Sequence, residues 1–175
     1  VLSLLFSPYN LAQTTAQNDI VFTSLQHSLG NASQTILSEK NWNCTIIRDM
    51  NGVPHVYADT REELAYGVGY AIAEDRLWQA DLFRREATGR LSELGIGNVS
   101  NDLWTRMHGY TKEESTQLFS TVQSPYKEMM TAYAEGINQY IADAIANPQE
   151  KMPYEYIIRG ITPEPWTVED SLAIG

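Results

Sequence analysis

The sequence predicts an α+β fold that is mostly helical and carries one β-hairpin near residues 42–58. Three observations predict it. A β-branched and aromatic run, Trp42-Asn-Cys-Thr-Ile-Ile-Arg48, is followed by Asp49-Met-Asn51-Gly52 and then by a second such run, Val53-Pro-His-Val-Tyr-Ala58. Beyond Thr60, apolar residues recur at helical spacing through most of the chain. Residues that start and stop helices, Thr60 with Glu63, Ser124-Pro125 and Asn147-Pro148, bracket those stretches.

In the hairpin, Asn51-Gly52 suits a tight turn because both residues tolerate positive φ, and Pro54, lacking an amide hydrogen, belongs at a sheet margin. Thr60-Arg-Glu-Glu63 has capping-box spacing and opens a helix over residues 61–88, with apolar positions Leu64, Val68, Ala71, Ile72, Leu77, Trp78, Leu82 and Phe83. Thr88-Gly89 ends it, and a short second helix carries Leu91 and Leu94. Residues 103–122 read as helical with a break near Gly109. Ser124 as N-cap and Pro125 at the first helical position open another helix, with core face Tyr126, Met130, Tyr133, Ile137, Tyr140, Ile141 and Ile145; Asn147-Pro148 ends it. Pro163-Glu-Pro165-Trp166 is a turn into a last helix from about Thr167, still in pattern at Gly175.

The region before the hairpin is less regular. Residues 17–41 are rich in Gln, Asn, Ser and Thr, with apolar residues that fit neither period, and read as a weak helix or loop. Val1-Leu-Ser-Leu-Leu-Phe6 with the polar run to Ala16 fits two readings, the tail of an export signal or a short packed segment. The expected organisation is an N-terminal extension over 1–41 and one domain over 42–175, incomplete at its C-terminal end. The expected location is periplasmic or secreted.

Composition narrows the function. The 175 residues are 43% apolar and 19% charged, enough to bury about 70% of the unfolded surface as one domain. A net charge of −10 and a pI near 4.6 argue against a nucleic-acid partner, which needs a basic stripe. No apolar run approaches the ~18–20 residues of a membrane span. Cys44 is the only cysteine, so an internal disulfide and a thiolate-rich metal site are excluded. His27, His55 and His108 have no partner at metal-ligand spacing, no metal site is expected in this chain, and Cys44 reads as a small buried hydrophobe rather than a nucleophile. Three Asn-x-Ser/Thr triplets, at Asn31, Asn43 and Asn98, carry little weight.

Most of the unusual chemistry lies on the 61–88 helix. Asp75, Arg76, Asp81, Arg84 and Arg85 interrupt the apolar stripe and are expected as structural ion pairs. Asp81 and Arg85 stand four apart on one face, while Asp75 or Arg76 reaches a neighbouring element. Two other readings are a solvated face with ordinary surface pairs and, less well supported, an acid/base dyad; residues 74 and 75 point in different directions around a helix, which argues against the dyad. Gly67-Val-Gly69 begins like a dinucleotide fingerprint but lies inside a helix with Ile72 at the third glycine's place, so close approach of another backbone explains it better.

From Arg48 onward the chain resembles the α-chain portion of the penicillin acylase family. Arg48-Asp-Met-Asn-Gly-Val-Pro-His-Val-Tyr-Ala58 is similar to that family's hairpin, and Tyr66-Gly-Val-Gly-Tyr-Ala-Ile-Ala-Glu-Asp-Arg-Leu-Trp-Gln79 to its long helix. Arg84-Arg85, Thr88-Gly-Arg-Leu-Ser-Glu-Leu-Gly95, Tyr133-Ala-Glu-Gly-Ile-Asn138 and Pro165-Trp166 follow in the family's order.

The resemblance implies the mostly helical α chain of an αββα heterodimer of the N-terminal-nucleophile hydrolase class, made as one precursor that cleaves itself. A Ser, Cys or Thr at the start of a separate β chain would attack the amide of an N-acyl substrate, a β-lactam or a related compound. It implies no catalytic residue in this chain, substrate-binding positions beyond Gly175, no required cofactor, and, as in some members, calcium whose ligands also lie outside this chain. The implied partners are the β chain and a small-molecule N-acyl substrate. The other reading is a stand-alone helical binding or scaffolding module without catalysis.

Overall fold

The computed structural model describes residues 33–39 and 42–174. In chain order the elements are β1 (Ser33–Glu39), β2 (Trp42–Arg48), β3 (Pro54–Ala58), α1 (Arg61–Ala87), a 3-10 turn (Leu91–Leu94), α2 (Val99–His108), α3 (Lys112–Thr121), α4 (Tyr126–Ala146), α5 (Pro148–Lys151), α6 (Tyr154–Arg159) and α7 (Val168–Ile174). The strands form one sheet in the order β1-β2-β3, so the fold is mostly helical with a small antiparallel sheet.

The chain divides into two compact units, one holding Ile47–His55 and the other Ile36–Ile46 with the chain from Val56 onward. In the first, Asp49 organises the turn. Its backbone oxygen accepts from Gly52 at 2.9 Å and its carboxylate from the amides of Asn51 and Val53, at 2.8 and 2.9 Å. Those bonds, with His55 beside them, hold its carboxyl below the usual range. Gly52 takes φ +79, the conformation that the Asn-Gly pair makes available.

The second unit is built on α1 and α4. Thr60 and Glu63 form the expected capping box, the Glu63 amide donating to Thr60 at 3.2 Å and the Thr60 amide to Glu63 at 3.0 Å. The two helices approach closely because neither has a side chain at the crossing. A Cβ on Gly69 would meet the Tyr133 carbonyl, and one on Gly136 would meet the Tyr66 carbonyl. Gly67 gives the same freedom to Val56 and Cys44. Around the crossing, Trp42 stacks on Tyr66 at 5.6 Å and donates its indole N–H to Glu135 at 2.8 Å. Cys44 lies buried in the core, and burial, with Glu63 nearby, pushes its thiol up to about 11.

Several elements differ from the sequence expectation. Residues 33–39, read as weak helix or loop, form β1: within the apolar pair Ile36-Leu37 only Leu37 is buried, so strand alternation is hidden by adjacent apolar residues. Ser124 does not cap α4; the Ser124–Pro125 peptide is cis and the helix starts at Tyr126 behind Pro125. The expected core faces hold in part: Ala71 and Leu77 of α1 and Ile137, Tyr140 and Ile141 of α4 are buried. Tyr126 and Ile145 of α4 and Leu64, Ile72 and Phe83 of α1 are exposed, while small residues such as Ala132, Ala134 and Ala144 are buried. Close packing at Gly69 and Gly136 favours small neighbours over long ones. Helix α1 also bends at Arg76, whose φ −145 and ψ 24 are not helical. Helices α5 and α6 lie outside the sequence expectation.

Replacing Gly69 or Gly136 with Ala in the intact protein should cost about 1–3 kcal/mol, because an added methyl meets backbone that cannot yield. Chemical unfolding measures this; a change below about 0.5 kcal/mol would mean that the helices can separate at no cost.

Candidate functional site

The C-terminal half of α1 buries charge. Positions 66, 70, 73, 77, 81 and 84 follow one another at three- and four-residue steps, and all are buried: Tyr66, Tyr70, Ala73, Leu77, Asp81 and Arg84. The helix thus continues an aromatic and apolar stripe into a carboxylate and a guanidinium. Asp81 is 1% exposed, Arg84 2% and Arg85 4%.

An ionised carboxylate survives such burial only when its lone pairs are filled. At Asp81 they are. Oδ1 accepts from Arg84 Nε at 3.0 Å, from Arg84 Nη2, and from Arg85 Nε at 3.2 Å. Oδ2 accepts from the Tyr156 hydroxyl at 3.0 Å. Burial first, then the Asp81 charge, raises the Tyr156 pKa, so the phenol stays protonated and remains a donor. Its ring packs edge-on against Trp78 at 5.0 Å.

The remaining donors of the arginines reach outward. Arg85 Nη1 donates to Glu93 at 2.8 Å and Nη2 to Glu164 at 2.9 Å. Arg90 bonds both carboxylates, Glu164 at 2.8 Å and Glu93 at 2.9 Å. The Arg90 bonds hold Glu164 at about 2 and also lower Glu93. Arg84 Nη1 donates to the Pro165 carbonyl at 3.0 Å, and its guanidinium lies 5.2 Å from the Trp166 ring. The cluster therefore ties α1, the 3-10 turn, α6 and the segment leading into α7.

Asp75 and Arg76 are placed elsewhere. Both are exposed at the bend of α1, where Arg76 donates to Gln79 of its own helix at 3.2 Å. A second polar node braces α1 against α4: the Tyr70 hydroxyl donates to Asp143 at 2.7 Å, and Lys151 Nζ lies 2.9 Å from the Tyr70 oxygen and 3.2 Å from Asp143. Burial raises Asp143, but the bonds from Tyr70, Lys151 and Gln139 outweigh it and the net shift is downward.

Two cavities flank α7. One, of about 440 Å³, has a mixed lining of charged, polar and apolar groups, Arg84, Arg106, Lys112, Ser115, Glu169 and Ala173 among others. The other, of about 400 Å³, is almost wholly apolar and lies among Leu64, Val68, Met129, Met130, Tyr133 and Ser171. Among the described residues no three His, Cys, Asp or Glu side chains are grouped to hold a metal ion, and no helix is long and apolar enough to cross a membrane. His27 lies outside the described residues. His55 sits 3.7 Å from Asp49, and His108 stacks on Trp104 at 3.8 Å.

The family model described as penicillin amidase matches residues 43–175. The chain belongs to the penicillin amidase family. Penicillin G acylase of Escherichia coli is 33% identical over 122 residues, which take in 69% of this chain and 14% of that protein. The penicillin acylase 2 proenzyme of Pseudomonas sp. (strain SE83) is 34% identical over 128 residues, 73% of this chain and 16% of the proenzyme. An acyl-homoserine lactone acylase of Pseudomonas syringae is 30% identical over 133 residues, 75% of this chain and 16% of that protein. Among solved structures, a chain of the thermostable penicillin G acylase from Alcaligenes faecalis matches with TM-score 0.66 and 31% identity, over 83% of this chain and 71% of that one. The match thus spans less than a fifth of the curated relatives' length, and the penicillin amidase fold extends over the helical region just described.

Asp81 and its arginines were among the residues singled out from sequence, as were Asp75 and Arg76. Sequence reasoning gave no role to Tyr156 or Glu164, which complete the cluster. Only Glu93 carried a local signal, three residues after Arg90.

Replacing Asp81 with Asn should destabilise the protein by about 3–5 kcal/mol, because two arginines remain buried without their shared anion. Tyr156→Phe should cost about 1–3 kcal/mol, the loss of one bond to a charged group. Urea unfolding of the intact protein measures both. Glu164 sits at about 2 against an ordinary 4.5, so the folded state takes up its proton less readily than the unfolded chain. Its contribution is complete above pH 4.5 and is lost as pH falls toward 2. Glu164→Gln should therefore flatten that part of the stability profile; an unchanged acid limb would remove Glu164 from the account.

Proposed function

We propose that this chain is the α chain of a self-processing amidohydrolase that cleaves the acyl-amide bond of a β-lactam or a related N-acyl compound. The observation that carries the reading is the family match over residues 43–175. Coverage supports its division into chains. The match is 14–16% of full-length relatives but 71% of one chain in a solved penicillin G acylase, so that chain is not much longer than this one. A relative named as a proenzyme points the same way.

In this reading the nucleophile is the N-terminal Ser, Thr or Cys of a separate β chain. Its α-amine, which titrates near neutrality, takes the hydroxyl or thiol proton as the oxygen or sulfur attacks the amide carbonyl. The amine of the substrate leaves with a proton, and water then attacks the acyl-enzyme to release the acid and restore the nucleophile. Donors on the β chain stabilise the oxyanion. The α chain supplies no reacting group; it forms the helical support, and its substrate-facing positions follow α7. Asp81, Arg84 and Arg85 act structurally, and Asp75 and Arg76, exposed at the bend of α1, pair within the helix or against the partner chain. Any calcium would be held by ligands outside this chain. The domain runs from residue 42, and the enzyme works in the periplasm or outside the cell.

Expressing the complete gene and weighing the product tests processing: two associated polypeptides are expected, the second beginning with Ser, Thr or Cys. A panel of chromogenic amides, from phenylacetyl to long straight acyl chains, tests chemistry. Turnover of at least one is expected, and its loss on replacing that first residue with Ala. Negligible turnover of all of them by correctly processed protein would defeat the reading.

A further inference from the structure

The segment Pro163–Trp166 could leave the α1/α4 pair at many angles, yet two side chains fix it from opposite directions. Arg84 is one. Its fork is anchored on Asp81, Nη1 donates to the Pro165 carbonyl at 3.0 Å and lies 3.5 Å from Asp170, and its plane is 5.2 Å from the Trp166 ring. Asn138 of α4 is the other. Its Nδ2 donates to the Trp166 carbonyl and its Oδ1 accepts from the Trp166 amide, both at 2.7 Å. Bonding both backbone groups of one residue fixes its rotation as well as its position.

Helix α7 begins immediately afterwards. The Thr167 amide donates to Asp170 at 2.7 Å and the Asp170 amide to Thr167 at 3.3 Å, a capping box that passes the orientation of Trp166 to the helix. Trp166 also donates its indole N–H to Ser171 at 2.9 Å, one turn further on. The direction of α7 is thus set by a planar guanidinium and a planar amide, neither of which bends. Ser171 lines the apolar cavity and Glu169, Asp170 and Ala173 line the mixed one, so the angle of α7 shapes a wall of each.

We propose that Arg84 and Asn138 are positioning residues that set the angle of α7 and, through it, the acyl-chain selectivity of the assembled amidohydrolase. The inference rests on the function proposed above, in which substrate-facing positions follow α7. A pocket discriminates one methylene by about 10–200-fold, so a wall displaced by a fraction of a bond length is read directly in selectivity. Charge alone does not suffice at Arg84. A lysine retains the charge beside Asp81 but not the fork that reaches Pro165 at the same time.

The test uses the full-length processed enzyme with Arg84→Lys and Asn138→Ala, and two substrates, a phenylacetyl and a long straight-chain chromogenic amide. Each variant should shift the ratio of the two kcat/KM values by about tenfold, mainly through KM, with precursor cleavage complete. If Arg84→Lys does not fold, Asn138→Ala carries the test, since it removes two neutral bonds at a half-buried side chain. A lowered Tm with an unchanged ratio overturns the positioning role and leaves a structural one. Wild-type enzyme inert toward both amides overturns the functional reading and this proposal with it.

Discussion

The fold depends on one buried anion. Asp81 lies inside a helix, at the end of a stripe that is otherwise aromatic and aliphatic, and is almost wholly removed from water. A carboxylate there is tolerable only with its acceptor sites occupied, and the partners come from two directions: two arginines of the same helix and the phenol of α6. The arginines bring a surplus of positive charge, which Glu93, Glu164 and Asp170 offset at the rim. Each layer needs the next, so the cluster acts as one unit rather than as a sum of pairs.

The glycine crossing and this cluster divide the work of holding α1. At Gly69 and Gly136 the helices touch backbone to backbone, a contact that is strong in packing but silent about rotation. The directional groups supply the rotation: Tyr70, Asp143 and Lys151 near the crossing, and Asp81 with its partners further along. Between the two lies the bend at Arg76, which lets one helix serve two differently oriented sets of partners.

Much of this was legible in the sequence wherever a local rule applied. The Thr60–Glu63 box, the Asn51-Gly52 turn, the close approach at Gly69 and the break before α3 follow from residues next to one another. The orientation of the helices was legible only in part: Ala71, Leu77, Ile137, Tyr140 and Ile141 are buried as their spacing predicts, but the buried face of α1 also carries Asp81, Arg84 and Arg85 while Leu64 and Phe83 are exposed. A hydrophobic pattern therefore marks the middle of each buried face but not the charged end of α1. The cluster was half visible: Asp81 and Arg85 at four-residue spacing announce a pair, but nothing near Tyr156 or Glu164 says that they complete it. Strand β1 was hidden because its adjacent apolar residues, exposed Ile36 and buried Leu37, mask the alternation.

The separation of these partners along the chain matters for biosynthesis. Asp81 meets its tyrosine 75 positions later, and Arg84 meets Pro165 81 positions later. During translation, at roughly 5–20 residues per second, the ribosome has released the charged end of α1 several seconds before its counterparts emerge. Until then that end stays hydrated, and docking it early would mean stripping water from charges that have not yet met their acceptors. An α1 made without residues 156–165 keeps the bonds from Arg84 and Arg85 to Asp81 but lacks the phenol, the carbonyl and the carboxylate that complete the cluster when that end leaves water.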